Sequence, residues 1–206
     1  TNIAAGVAYY GGGITQLLPE TPRCPMLFHF GEHDSHIALS DVEKIREAFL
    51  ARTIELKRPR RIAVGDRLTF IFENRDTVRF QIQEMLRAER AVKEEKILDE
   101  IAVYNELVPG PNELSATLMI EIPRMEQIRA ELDRLIGIDE HVFLDVGDAS
   151  VRASFDAKQF ESDRISAVQY VRFPLGPELA CRFCDPQLSA RLRVEHPNYR
   201  HSTPLE

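Results

Sequence analysis

The hydrophobic pattern of this 206-residue chain changes near residue 57, and this change constrains the fold more than any other feature. Before it, residues 2–10 and 24–30 form nearly uninterrupted apolar runs, which are typical of strands buried on both faces of a parallel sheet. A helix over residues 40–56 follows. This order predicts part of an α/β sheet, in which functional residues lie at the carboxyl ends of the strands. Asp34, in the turn after the second run, is at such a position.

After a basic break at residues 57–61, apolar and polar residues alternate in short segments. The alternation predicts one β-hairpin with a two-residue turn at Gly65-Asp66 and a second hairpin around Gly147-Asp148. The remaining predicted elements are helices over 74–90, 94–107 and 125–136, strands over 114–122, 165–173 and 191–196, and a frayed tail over 198–206. Antiparallel strands interrupted by helices predict an α+β fold.

Composition limits the classes of partner. The net charge of −7 argues against a nucleic-acid-binding surface, which needs a clustered basic excess. No apolar run approaches the roughly 20 residues of a membrane span, so we expect no membrane partner. The three cysteines do not form a disulfide framework, which favours a reducing cytoplasm. Nothing in the sequence indicates a cofactor.

The segments AGVAYYGGGI (5–14) and CPMLFHFGEHDSHIALSDVEKIR (24–46) resemble the C-terminal part of the dienelactone hydrolases, an α/β-hydrolase family. The resemblance implies that Asp34 is the acid of a catalytic triad, whose role is to orient a histidine. The nucleophile elbow would precede Thr1, and no histidine-bearing loop of the expected kind follows Asp34. We therefore expect residues 1–50 to be a truncated α/β-hydrolase strand–strand–helix fragment.

Residues 40–200, approximately, resemble a bacterial family of uncharacterised proteins, domain of unknown function 3501. The resemblance is carried by LKRPRRIAVGDRLTFIFENRDTVRFQIQEMLRAER (56–90), NELSATLMIEIP (112–123), ISAVQYVRFPL (165–175) and VEHPNY (194–199). It implies a single α+β domain over residues 51–206 with no known activity. The helix over 40–56 fits both families, so the chain is either a natural fusion or a chimaera joined at that helix.

Two functions follow from these resemblances. In the first, the chain is non-catalytic and its α+β domain binds a small ligand or a protein. In the second, it is a dienelactone-type hydrolase of an ester or lactone, with Asp34 as the triad acid and the missing groups supplied by a partner chain or by a missing N-terminus. Strand edges of the hydrolase-like fragment are expected to pair with the second domain or with another copy of the chain, or to stay partly disordered.

The start of the helix predicted over residues 74–90 is the candidate ligand-binding site. Free backbone N–H groups at a helix N-terminus bind anions, which assigns Asn74, Arg75 and Asp76 to the site, and Gln81 is placed to line a polar pocket. The alternative is a helix cap by Asn74 or Asp76, with Arg75 paired locally and Gln81 on a solvated helix face.

The pattern C-x2-C followed by H-x4-H, formed by Cys181, Cys184, His196 and His201, is close to that of a zinc finger. A zinc finger places both histidines on one helix, whereas the residues before His196 read as a strand and Pro197 follows it. We therefore predict two free thiols and no metal.

Overall fold

The structure is a computed structural model that describes residues 6–9, 12–20, 26–30, 36–90, 93–156, 160–161 and 164–205. The chain forms two compact units, Thr1–Glu55 and Leu56–Glu206. The candidate domain boundary at residues 50 and 51 stays a prediction.

The first unit contains a parallel strand pair, as the apolar runs predict. Strand β1 (Gly6–Tyr9) pairs with β2 (Met26–His29), with a 3-10 turn over Ile14–Leu17 between them. Helix α1 (Leu39–Lys57) begins in this unit and buries Ile45. The ring of Phe28 on β2 contacts the ring of Phe49 on α1 edge to face, with centroids 6.0 Å apart. This aromatic contact packs the helix against the strand pair.

The second unit contains the antiparallel strands. Its elements in order are β3 (Arg61–Val64), β4 (Leu68–Phe72), α2 (Arg75–Ala88), α3 (Glu94–Asn105), β5 (Glu113–Ile120), α4 (Ile128–Asp133), β6 (Val142–Val146), β7 (Ala149–Arg152), β8 (Ser154–Phe155), β9 (Phe160–Glu161), β10 (Arg164–Ile165), β11 (Val168–Pro174), α5 (Gly176–Phe183), β12 (Ala190–His196) and β13 (Tyr199–Leu205). Short 3-10 turns cover Arg58–Arg60, Met125–Gln127 and Ile138–Glu140.

Two sheets share one core. The five-stranded sheet has the order β3-β4-β5-β11-β8 and the four-stranded sheet the order β13-β12-β6-β7, while β9 and β10 form a separate pair. On one side the chain passes between the sheets at Ala153, where the N–H donates to the carbonyl of Val142. On the other side, Tyr199 and Thr203 of β13 donate from their hydroxyls to carbonyls of β3, each at 2.7 Å.

The core lies between the sheets. It is built from alternate residues of the paired strands, since successive side chains of a strand point to opposite faces. Its largest fully buried apolar side chains are Phe70, Phe173, Leu68, Leu118, Ile138, Leu144 and Leu192. Burying one such side chain contributes about 2 kcal/mol, so this core is the main source of the unit's stability.

We call the face of the five-stranded sheet that points away from the core the outer face. It carries the residues between the core positions, such as Thr69, Ile71 and Ser115, which are also buried. Helix α2, whose Val78 is buried, contacts α3, and Ser115 Oγ donates to the carbonyl of Leu107 just beyond α3. Polar side chains on the outer face are therefore buried and form hydrogen bonds away from bulk water.

The structure confirms the α+β fold with antiparallel sheets and corrects two details. Val64 pairs with Leu68, so the first hairpin has a three-residue loop, residues 65–67, where two were predicted. Residues 199–205 form β13, paired with β12 along its length, where a frayed tail was predicted. This segment is held by its pairing with β12 and by the hydroxyls of Tyr199 and Thr203, which donate to carbonyls of β3. Among the described residues, no helix has both the length and the apolar character needed to cross a membrane.

Candidate functional site

The candidate site is centred on Glu73, which follows β4 on the outer face. Its backbone N–H donates to the carbonyl of Ser115 at 2.8 Å, which extends the β4–β5 pairing by one residue. One carboxylate oxygen accepts from the hydroxyl of Thr117 at 2.7 Å, and the other accepts from the hydroxyl of Thr77. Both oxygens of this half-buried carboxylate thus have donors, which satisfies a charge that burial would otherwise penalise.

The sequence after Glu73 starts α2 and fixes Thr77. The side chain of Asn74 accepts from the backbone N–H groups of Asp76 and Thr77, at 3.1 and 2.9 Å, and Thr77 Oγ1 accepts from the N–H of Asn74. Such a reciprocal cap contributes about 1 kcal/mol. It also holds the Thr77 hydroxyl, which is fully buried, beside Glu73.

A cleft of about 460 Å³ opens beside this cluster. Its walls come from the end of α3, from β8 and from β11. The lining residues are Val103, Glu106, Leu107, Ser115, Ser154, Phe155, Asp156, Tyr170, Val171 and Arg172. The volume lies within the range of small-molecule sites, and the mixture of apolar walls with a few polar groups is typical of them. We call it the Tyr170 cleft.

Tyr170 links the cleft to the buried cluster. It lies directly opposite Thr117 in the pairing of β11 with β5. Burial raises the pKa of its hydroxyl, and the neighbouring Tyr104, which forms a hydrogen bond with it, and Glu73 raise it further. The phenol therefore stays protonated at neutral pH and can donate or accept a hydrogen bond.

The charges in the cleft are mostly negative. The only cationic lining residue, Arg172, forms an ion pair with Glu113, whose carboxylate also accepts from the N–H of Gly110 at 2.6 Å. Glu106 and Asp156 also line the cleft. The lining residues therefore include two acids and one arginine, which gives the lining a formal net negative charge.

The predicted ligand-binding residues lie at and beyond the edge of this cluster. Asn74 caps α2, as the alternative interpretation states, and so occupies two of the N–H groups at that helix end. Asp76 pairs with Arg79 at 3.1 Å, Arg75 is exposed, and Gln81 is half-buried on α2. The ligand-binding role of Asn74, Arg75, Asp76 and Gln81 stays a prediction.

The other candidate residues are elsewhere. Asp34, the predicted triad acid, lies outside the described residues. Cys181 and Cys184 are free and exposed at the end of α5. His196 is buried, with Nε2 3.0 Å from the carbonyl oxygen of Ile136. Among the described residues, no three or more His, Cys, Asp or Glu side chains lie together as metal ligands would.

Sequence reasoning missed Glu73, Thr117, Tyr170 and Tyr104. The only sequence signal was the presence of polar residues at alternate positions of two strands, Thr117 in β5 and Tyr170 in β11. That signal becomes informative only when the register of the pairing is known, because a shift of one residue would place them on the core side.

Comparison with known proteins gives the family. The model of the family described as "Protein of unknown function (DUF3501)" matches residues 32–206, and that of the "Dienelactone hydrolase family" matches residues 1–58. A crystal structure of a "novel protein of unknown function" from Burkholderia pseudomallei K96243 is 34% identical, has a TM-score of 0.74, and covers 86% of this chain and 94% of that one. The search of curated proteins found no match.

The two family matches confirm the resemblances stated from the sequence. The hydrolase match is short, and it does not favour the ester- or lactone-hydrolase alternative. The unknown-function match covers most of the chain and the whole of the unit that contains the Tyr170 cleft. The chain therefore belongs to the DUF3501 family of proteins of unknown function.

Proposed function

We propose that the Leu56–Glu206 unit is a binding module for a small organic cation, which it holds in the Tyr170 cleft. The observation that carries the proposal is the cleft itself, which joins apolar walls to a buried, hydrogen-bonded cluster at Tyr170.

The apolar residues that line the cleft support a ligand with an apolar portion. Val103, Leu107 and Phe155 supply apolar surface, and Val103 is 59% exposed although it is aliphatic. Covering an exposed Val side chain stabilises a complex by about 1–2 kcal/mol. A ligand with an aliphatic or aromatic portion would therefore gain affinity from contacts that the free protein leaves to water.

The charged residues that line the cleft support a ligand with a positively charged group. Two acids, Glu106 and Asp156, line the cleft against one arginine, Arg172, which forms an ion pair with Glu113. Phe155 and Tyr170 also line the cleft, and an ammonium over an aromatic face at an exposed site gains about 0.5–1 kcal/mol. A carboxylate ligand would meet repulsion from the same two acids.

The test is a titration of the whole chain with 2-phenylethylamine, followed by two-dimensional NMR. We expect chemical-shift changes concentrated at residues 154–156 and 170–172. The neutral analogue 2-phenylethanol should bind at least about twofold more weakly, because it lacks the cation–π and ionic contacts. Phenylacetate should bind more weakly still. Tighter binding of phenylacetate than of the amine would overturn the proposal.

A matched pair of variants localises the site. Ser154→Trp places a bulky ring at an exposed lining position of β8 and should abolish the shifts at Tyr170. Ser202→Trp makes the same change at an exposed position of β13, which does not line the Tyr170 cleft, and should leave binding unchanged. Equal effects of both variants, or of neither, would contradict binding in the cleft.

We further propose that the chain is a bacterial, cytoplasmic fusion protein with domains 1–50 and 51–206. The two family matches overlap over residues 32–58, which include α1, and this overlap supports a junction at that helix. The similar protein from Burkholderia supports a bacterial origin. The free thiols of Cys181 and Cys184 support a reducing compartment.

A further inference from the structure

A second concave surface lies where the β3–β4 loop, α4 and the β12–β13 turn meet. It encloses about 420 Å³, within the size range of small-molecule sites. Its lining residues are Asp66, Arg67, Glu131, Arg134, Leu135, Pro197, Asn198, Tyr199, Arg200 and His201. We call it the basic cleft.

Two of its arginines share one carboxylate. Glu131 on α4, whose side chain is 17% exposed, forms an ion pair with Arg67 and lies 3.6 Å from Arg134 Nη1. A guanidinium has five N–H donors, and a carboxylate has about four lone-pair sites. Glu131 therefore orients both guanidinium groups without using all their donors.

The backbone around these arginines is also fixed. The N–H of Arg67 donates to the hydroxyl of Tyr199 at 3.1 Å, and that hydroxyl donates to the carbonyl of Val64 at 2.7 Å. The side-chain amide of Asn198 donates to the carbonyl of Arg134 at 2.9 Å. The two arginines thus project from backbone that is tied to β3, α4 and β13, so a bound ligand need not order them.

The charge of the cleft is opposite to that of the chain. Three arginines line it, Arg67, Arg134 and Arg200, against two acids, Asp66 and Glu131. Asp66 lies 3.7 Å from Arg67. Arg200 forms no ion pair with any residue that the structure describes. The cleft is therefore a local basic surface on a chain with a net charge of −7.

We propose that the basic cleft binds a phosphate group, either free or carried by a small molecule. Arginine matches phosphate by paired, parallel N–H donors, and a dianion gains from two or three guanidinium groups at once. The negative charge of the chain as a whole repels a long polyanion but affects a single phosphate group much less. This site is separate from the Tyr170 cleft and does not depend on the function proposed for it.

The experiment is calorimetric titration of the chain with inorganic phosphate and, in a second arm, with phenyl phosphate, at constant ionic strength. Arg134→Gln should weaken phosphate binding at least about fivefold, the loss expected for a charged hydrogen bond. Arg200→Gln should weaken it by a similar factor. Arg129→Gln is the matched control, because Arg129 lies on α4, which ends just before Arg134, pairs with Asp133 and does not line the cleft.

Glu131→Gln gives a change in the opposite direction. It removes the carboxylate that competes for Arg67 and Arg134, so phosphate should bind more tightly than to the wild-type chain. A purely structural role for Glu131 predicts weaker binding instead. Tighter binding of phenyl phosphate than of phosphate would indicate a phosphorylated small molecule, and equal binding would indicate the free anion.

Three results would overturn the proposal: no binding of either compound, equal losses in Arg134→Gln and Arg129→Gln, or weaker binding in a folded Glu131→Gln variant. Arg134 is largely exposed, so its variant is expected to fold and the test does not depend on Glu131 alone.

Discussion

Replacing Gly65 by alanine tests the closure of the two sheets. Gly65 has φ +71°, and an added Cβ would lie 2.6 Å from Cγ of His201 and closer still to the hydroxyl of Tyr199. The backbone strain costs an alanine about 1 kcal/mol. Displacing Tyr199 breaks its bonds to Val64 and Arg67, at about 1 kcal/mol each. We expect Gly65→Ala to lower the free energy of unfolding by about 3 kcal/mol.

The assay is urea unfolding followed by circular dichroism. Gly137→Ala is the matched control, because Gly137 has φ +89° but no atom within 4 Å of the added Cβ, so only the strain of about 1 kcal/mol applies. In a Tyr199→Phe background, Gly65→Ala should cost less, since the hydroxyl it displaces is gone. The reasoning is refuted if Gly65→Ala costs no more than Gly137→Ala, or costs the same in both backgrounds.

Three further predictions follow from the structure. Hydrogen bonds from Arg193 hold the pKa of Asp145 well below its usual value, so this contact stabilises the fold above about pH 4 and its contribution is lost as the pH falls further. In urea unfolding, Asp145→Asn should lower the free energy of unfolding by about 1–2 kcal/mol at pH 7 and by less at pH 3. An equal loss at both pH values would contradict this. In an ultraviolet absorbance titration, Tyr170→Phe should remove one phenol whose titration midpoint lies above pH 10.0. If the step that the variant loses has a lower midpoint, the Tyr170 hydroxyl is not buried. The chain should show no Asp34-dependent turnover of a chromogenic ester, and turnover lost in Asp34→Ala would revive the hydrolase alternative.

Much of the fold is predictable because its signals are local. The alternation on both sides of Gly147-Asp148 identifies the β6–β7 hairpin, and the structure places a two-residue turn there. The cap at Asn74 is also local, since it depends on the next three residues. The β13 strand was missed because its polar side chains give it no apolar run, and its order depends on partners in β3 and β12 that are distant in sequence.

The candidate sites depend on such distant pairings. The hydrogen-bonded residues Glu73 and Thr117 are 44 positions apart in the sequence, and the ion-paired residues Arg67 and Glu131 are 64 positions apart. No single segment of the sequence contains a pattern that predicts either contact. A motif search therefore finds the helix start at Asn74 and does not find the Tyr170 cleft, which forms only when β11 pairs with β5 in the observed register.

The most direct test of the proposed function is a crystal structure of the chain grown with 2-phenylethylamine. The account predicts electron density for the amine in the Tyr170 cleft, with the ring against Phe155 and the ammonium toward Glu106 and Asp156. An empty cleft at an amine concentration that saturates the NMR titration, or the amine bound elsewhere, would contradict it.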